Sequence, residues 1–424
     1  MRTGTEFQCE IETCALGGDG IARVDGEVVF LPGTLPGEKL IGRITAEKKN
    51  FSRAEIVRFG ATSPHRVEPG CPYFGRCPGC RYLHADYAYE TALKQRQLLD
   101  HMKAAGFECA PEAVAEPFAP EPELGYRNKI VLHTHKVKGE TFFGYVMADN
   151  TTVTDIANCP LANPAINAEL AGLRGDKGFL HSLHEGMDVT FRHTEHDGVK
   201  FWRNAPAKNL TWLREETPAG TLSVPCGSFF QVNPAGGAHL VKRFMETVKR
   251  LEPSRVIDLY AGAGLFGCAA AACGVSDILA VESDAAAAEA ARFNLARRTA
   301  NARVAAGDAG DALKELGRED AAHTLLIVDP PQRARLRRDA GADPQHARAA
   351  GLCLLQPGDL DAGRDPARQG RLPPPPPRTG QYVPENRTLR TLQRMGTRLN
   401  GRSAEKSCRR TPSAAARTFS ARRP

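Results

Sequence analysis

The chain has 424 residues, 42% hydrophobic and 25% charged, enough to bury sizeable cores in two or three domains. No apolar run is long enough to span a membrane, and the polar start Met1-Arg2-Thr3-Gly4-Thr5-Glu6 is no signal peptide, so a cytoplasmic monomer without a membrane partner is expected. The net charge of +7 is no argument for nucleic acid: residues 332–424 set 19 Arg and 1 Lys against 7 acids, a balance of +13, which leaves −6 for residues 1–331.

A first domain, residues 1–60, reads as a small β-barrel over residues 8–58. Gly17-Gly18-Asp19-Gly20 and Leu31 to Glu38 are turns, and Glu27 to Leu31, Lys39 to Ile44 and Ser52 to Arg58 alternate as short strands. The pattern resembles the TRAM domain, an OB-like barrel that binds RNA. That resemblance makes Lys48, Lys49, Phe51 and Arg53 candidate RNA contacts. A barrel with a purely structural role is the alternative, since charge runs are usually solvated faces.

Residues 61–225 form a central domain that opens on Cys71, Cys77 and Cys80, spaced C-x5-C-x2-C, with Cys159-Pro160 much later. Close cysteines among Gly and Pro turns, without a secretion signal, argue for a metal centre and against disulfides. Zinc fits on spacing alone. Thiolates with a distant fourth cysteine and an adjoining Pro are common around [4Fe-4S] clusters. Cysteines 9, 14, 109, 226, 268, 273, 353 and 408 read as small core residues or incidental thiols. A helix is expected from Asp86 to Gly106, with Leu93, Leu98, Leu99 and Met102 on one side. A β segment that begins with Tyr126 to Leu132 should pair with Thr141 to Val146, making Arg127 and Lys129 candidate RNA-facing residues, although single basic residues on a strand equally fit ordinary solvated positions.

Residues 226–331 carry the two most informative phrases, Ser228-Phe229-Phe230-Gln231-Val232-Asn233-Pro234 and Asp258-Leu259-Tyr260-Ala261-Gly262-Ala263-Gly264-Leu265-Phe266. The second reads as the end of a buried strand (Arg255 to Tyr260), a Gly turn and a small-residue helix from Leu265 to Cys273. Such a turn presents backbone N–H groups to a nucleotide-like ligand at a strand's carboxyl end. A lone Gly-x-Gly is weak evidence. Here, however, the next strand, Asp277 to Val281, is closed by Glu282, an acid placed to accept from two ribose hydroxyls. A third strand, Ala302 to Ala306, leads to Asp308, and a fourth, Thr324 to Val328, ends in Asp329-Pro330-Pro331.

Gln231, the Asp-Leu-Tyr-Ala-Gly-Ala-Gly turn, Glu282, Asp308 and Asp329-Pro330-Pro331 match, in order, the S-adenosylmethionine site of the RNA uracil-C5 methyltransferases. The resemblance runs from about residue 5 to residue 331. It implies an α/β chain: a Rossmann-like methyltransferase sheet, here truncated, preceded by the OB-like TRAM barrel and a central α+β iron-sulfur domain. It also implies methylation of a uracil C5 in 23S ribosomal RNA, a class 2.1.1 transfer. Gln231, Tyr260, Gly262, Gly264, Leu265, Glu282, Asp308 and Asp329 would contact the cofactor, with Asp329 orienting the uracil edge. Family members with this cysteine spacing carry a [4Fe-4S] cluster, so Cys71, Cys77, Cys80 and Cys159 become its expected ligands. Transfer RNA is the alternative substrate, but that branch typically lacks both barrel and cluster. A non-catalytic RNA-binding iron-sulfur protein is the alternative of a different class.

The family's covalent chemistry needs a Cys thiolate in a Ser-Cys-Asn-Pro phrase and a base in a Met-Phe-Pro-x-Thr-x-His-x-Glu phrase. Neither phrase is present. Residues 332–424 instead have no Ile, one Val (Val383) and the run Pro373 to Pro377, so no fifth, sixth or seventh strand and a disordered Arg/Pro tail are expected. Codons for Cys353 to Asp365, read one base later, can spell Val-Ser-Cys-Asn-Pro-Ala-Thr-Leu-Thr-Arg. Those for Gln381 to Thr391 can spell Ser-Met-Phe-Pro-Lys-Thr-Ala-His-Phe-Glu. Two family phrases in the right order and the same shifted frame place a loss of frame near Pro331 to Gln332. Cys353 and Cys408 are then incidental thiols.

Overall fold

The computed structural model describes residues 2–104, 114–147, 149–206, 212–315, 323–329 and 352–353. Six strands open the chain: β1 (Glu6–Glu10), β2 (Thr13–Cys14), β3 (Gly20–Val24), β4 (Glu27–Leu31), β5 (Lys39–Glu47) and β6 (Ser52–Ala61). They form one sheet in the order β1-β5-β6-β4-β3-β2. Alternation along β5 turns Leu40 and Ile44 inward, where they meet Phe7, Ile11, Ala22, Val29 and Leu31. β4, β5 and β6 begin where their sequence predicts. β5 and β6 run on past Ile44 and Arg58, because the antiparallel pairing between them extends to Glu47 and Ala61.

Helix α1 (Tyr87–Ala104) covers this sheet's flank, and its buried face differs from the expected one. Leu93 is buried, but its partner one turn on is Gln97, while Leu98 is 36% exposed. Gln97 is tolerated inside because every polar atom is used: it accepts from the Tyr82 hydroxyl at 3.0 Å and donates to the carbonyls of Cys14 (3.3 Å) and Ala15 (3.1 Å). The expected stop at Gly106 lies outside the described residues.

The central domain's strands are β7 (Lys129–Val137), β8 (Glu140–Val146), β9 (Val153–Asp155), β10 (Asp188–Thr194) and β11 (Gly198–Arg203). They form one antiparallel sheet in the order β11-β10-β7-β8-β9. Helices α2 (Pro164–Gly175) and α3 (Lys177–Ser182) close one face over Ile130, Leu132, Phe143, Ile166, Leu170 and Phe191. β7 does pair with β8, but through residues 133–137; residues 129–133 pair with β10, and β7 starts at Lys129 and not at Tyr126, with Arg127 making an isolated bridge to Ala162. A hairpin, β12 (Trp212–Glu215) and β13 (Leu222–Pro225), follows.

Helix α4 (Pro234–Leu251) starts where Asn233 caps it, accepting from the Gly236 N–H at 3.0 Å, with Pro at the first turn. The last sheet is parallel: β14 (Arg255–Leu259), β15 (Asp277–Glu282), β16 (Ala302–Ala306) and β17 (Thr324–Val328) alternate with α5 (Leu265–Ala272), α6 (Ala285–Ala296) and α7 (Ala309–Glu315). The strand order β16-β15-β14-β17 reverses beside β14, the switch point of a doubly wound sheet. Val241, Phe244 and Val248 of α4 pack on its core with Val256, Ile278 and Ile327.

One expectation is corrected here. Residues beyond 331 were expected to supply no further strand, yet Leu352–Cys353 forms a two-residue strand, β18, parallel to β17, with Ile327 opposite Leu352. An edge strand offers backbone N–H and C=O groups to any extended segment, so pairing there does not require β-branched residues. Pro330, Pro331 and the remaining expectations for residues 332–424 lie outside the described residues.

Candidate functional site

The turn after β14 is built on left-handed backbone: Tyr260 has φ 64°, Gly262 54° and Gly264 85°. Gly264 also touches α6, since a Cβ there would lie 3.2 Å from Ala291 Cα. A tyrosine held at positive φ is uncommon, and such strain clusters at ligand sites. Leu265 then begins α5, whose N-cap, Gly264, offers no side-chain acceptor to the first-turn N–H groups. Glu282, at the end of β15, fixes the turn: Oε2 accepts from the Gly262 N–H at 2.8 Å and Oε1 from the Asp284 N–H at 2.7 Å. Asp308 is exposed, accepts from the Gly310 N–H at 2.8 Å, and lies near enough to Tyr260 to raise its hydroxyl pKa along with burial. Asp329 is half-buried at the end of β17.

Asp258 heads the Gly-turn phrase, but the sequence assigns it no role of its own, and the structure does. It is 1% exposed; Oδ2 accepts from the Gly267 N–H at 3.2 Å, and Oδ1 has no hydrogen-bond partner among the described residues. Burial, and then the negative charges of Asp329 and Glu282, push its carboxyl up to about 7. The folded chain therefore keeps this proton in the window from about 4 to about 7, where the unfolded chain has released it. Stability should fall as pH rises through that window, by at most about 4 kcal/mol. Denaturant melts at pH 5 and pH 8 should show Asp258→Asn with a flatter profile and higher stability than wild type at pH 8.

Gln231 is placed by a different set of contacts. Its carbonyl accepts from Asn128 Nδ2 at 3.3 Å, and Gly237 leaves it room, since a Cβ there would sit 2.9 Å from Gln231 Cβ. Two residues earlier Phe229 stands 68% exposed, a large aromatic face that the sequence quoted without a role.

The four cysteines converge. Cys71, Cys77, Cys80 and Cys159 line one cavity with Tyr73, Phe74 and Tyr145. Cys159 is fixed by Asn167, whose Oδ1 accepts its N–H at 2.9 Å and whose Nδ2 donates to its carbonyl at 3.0 Å. Burial first, then the sulfurs of Cys159, Cys77 and Cys71, push the Cys80 thiol up to about 12, while Arg127 opposes the shift. Thiols that raise one another in this way are a donor set whose charge a cationic centre would relieve. Among the described residues no group of three or more His, Cys, Asp and Glu closes tightly enough to hold a single metal ion.

The basic residues are divided. Lys48 and Lys49 are exposed at the β5–β6 hairpin tip, which is closed by the Lys48 N–H donating to the Phe51 carbonyl at 2.9 Å. Phe51 and Arg53 are partly engaged: Phe51 packs edge-on to Phe30 at 5.3 Å, and Arg53 reaches Asp19 at 3.3 Å. Arg127 and Lys129 are only half-exposed. Arg127 Nε donates to the Lys129 carbonyl at 3.1 Å on the cysteine side, and burial, then Arg192, lowers the Lys129 pKa.

Comparison with known proteins agrees with this layout. Residues 2–57 match the TRAM domain, and residues 240–340 match a family described as conserved hypothetical protein 95. The chain is 30% identical to the 23S rRNA (uracil(1939)-C(5))-methyltransferase RlmD of Acidithiobacillus ferrooxidans, over 77% of this chain and 82% of the relative. It is 28% identical to the RlmD of Stenotrophomonas maltophilia, over 77% and 83%. In fold it is similar to the tRNA (uracil-54, C5)-methyltransferase of Pyrococcus abyssi, solved with S-adenosyl-L-homocysteine, at TM-score 0.61 and 20% identity over 84% of this chain and 92% of that one. No helix among the described residues is long and apolar enough to cross a membrane. With an identity of 30% across four-fifths of a relative's length, the chain belongs to the RNA uracil-C5 methyltransferase family.

Proposed function

We propose that the lineage to which this chain belongs methylates a uracil C5 in 23S ribosomal RNA, with S-adenosylmethionine as donor. The observation that carries the cofactor assignment is the Glu282 carboxylate locked onto the Gly262 N–H beside the α5 N-terminus. Glu282 retains lone pairs for two ribose hydroxyls, while Tyr260, Gly262, Gly264 and Leu265 wall the methionine side and Asp308 the adenine side. When bound, the cofactor supplies an electrophilic methyl group. Asp329 holds the uracil edge, Gln231 closes the cleft from the α4 side, and Phe229 offers a stacking face for an unstacked base. Lys48 and Lys49, with Phe51 and Arg53, form the RNA-contacting tip of the barrel, and Arg127 and Lys129 act at the edge of the central sheet.

The chain divides into a TRAM-like barrel at residues 1–60, a central domain at 61–225, an incomplete methyltransferase domain at 226–331 and an out-of-frame segment at 332–424. Ribosomal RNA is favoured over transfer RNA because the relatives at 28–30% identity are 23S rRNA enzymes, whereas the tRNA enzyme of the same fold is 20% identical. The cysteines fit a [4Fe-4S] cluster: an all-thiolate set of four around one cavity, with no imidazole among the lining residues. Anaerobically purified protein should contain about four irons and absorb broadly near 400 nm. Cys159→Ser should lose most of that absorbance, and zinc in place of iron would refute the assignment.

The second reading, a non-catalytic RNA-binding protein, is favoured by one observation on the translated chain itself: it contains no Ser-Cys-Asn-Pro phrase. Filter binding of uracil-containing RNA, run beside a methyl-transfer assay, separates the two. Binding without transfer supports the second reading for this polypeptide, and transfer refutes it.

A further inference from the structure

Two buried polar side chains of the central sheet spend their hydrogen bonds on the segment leading into the methyltransferase domain. Arg192, on β10, is 1% exposed. Its Nε and Nη2 both donate to Glu215 Oε1, at 3.1 and 2.6 Å. Its Nη1 faces three backbone carbonyls, those of Pro225 at 3.4 Å, Cys226 at 3.3 Å and Ser228 at 3.5 Å, and its guanidinium carbon lies 6.0 Å from the Phe230 ring centre. Asn128, just before β7 and 5% exposed, donates its backbone N–H to the Val232 carbonyl at 2.9 Å and its Nδ2 to that of Gln231 at 3.3 Å. Its own carbonyl accepts from the His193 N–H at 2.8 Å, so the two anchors are fastened to each other through β10.

A guanidinium this deeply buried is tolerated only where its donors are met, and a planar fork can meet a carboxylate and a curved run of carbonyls at once. Five of the eight carbonyls between Pro225 and Val232 are thereby held by the central sheet. That run ends at the Asn233 cap of α4 and carries Phe229 and Gln231. We propose that Arg192 and Asn128 are positioning residues for the cofactor cleft, fixing the path of residues 225–232 and so the placement of Phe229 and Gln231. The inference rests on the assignment of Gln231 to the cofactor cleft made above.

The test uses the full chain. Amide hydrogen exchange reads the segment directly, and calorimetric titration with S-adenosylhomocysteine reads the cleft. The variants are Arg192→Lys and Asn128→Ala, with Asp155→Asn as control, which weakens the Arg174–Asp155 pair on the edge strand β9. Arg192→Lys and Asn128→Ala should each speed exchange of the amides at 226–232 about tenfold and weaken S-adenosylhomocysteine binding about tenfold. Asp155→Asn should lower the melting temperature and leave both readouts unchanged. The inference is overturned if folded Arg192→Lys or Asn128→Ala matches wild type in exchange and affinity, or if Asp155→Asn loses both to the same degree. Should Arg192→Lys not fold, Asn128→Ala decides alone. Failure of the wild-type chain to bind S-adenosylhomocysteine would sink the cofactor assignment instead, and exchange at 226–232 would still decide the positioning role.

Discussion

A gene repaired by one base near codon 331 should yield protein that methylates uracil-containing RNA, while the 424-residue chain as written should not, a difference of at least about a thousandfold. The reason is chemical. C5 of uracil is barely nucleophilic, and the family's route raises its reactivity by adding a thiolate at C6, with a base later removing the C5 proton. The residues that build the cofactor turn are all present up to Asp329, but the phrases that would carry the thiol and the base are absent, and codons for residues 353–365 and 381–391 can spell them one base later. The cofactor domain and the chemistry are thus separable: S-adenosylhomocysteine binding should be measurable in both proteins, and transfer in the repaired one alone. Equal transfer rates would sink both the frame argument and the assignment of the chemistry to the lost phrases.

Glu282→Ala should weaken cofactor binding by roughly 2 to 4 kcal/mol, or about 30- to 700-fold in Kd, through loss of two charge-assisted hydrogen bonds to the ribose. The variant also strips the Gly262 and Asp284 N–H groups of their acceptor, so part of the loss comes from a loosened turn. Glu282→Gln separates the two contributions. It keeps an oxygen for one backbone donor but loses the charge, and should fall between wild type and Glu282→Ala. Calorimetry that finds Glu282→Ala binding as tightly as wild type removes this residue from the site.

Much of this could be read without coordinates. The four strands from Arg255 to Val328, the acids that close them and the Gly turn between β14 and α5 are local features. They follow from β-branched runs, from glycine at positive φ and from the punctuation of a parallel sheet, so they stand in the sequence at the spacing the backbone requires. The barrel's later strands were legible for the same reason. Helix α1 shows where such reading stops: its leucines mark a helix, but Gln97 rather than Leu98 faces inward, because the carbonyls of Cys14 and Ala15, more than 80 residues back, are there to receive it.

By itself, then, the sequence determined the strands of residues 255–328, their order, and the chemical groups at their ends, since each depends on backbone preferences within a few residues, while most strands and helices of the central domain went unread. Only the tertiary structure decided which groups meet. Cys159 joins Cys71, Cys77 and Cys80 in one cavity, Asp258 is sealed from water beside Asp329 and Glu282, and Arg192 finds its acceptors some 30 residues away. Those outcomes depend on how separate sheets pack and which polar groups lose water when they do, and no short-range periodicity records that.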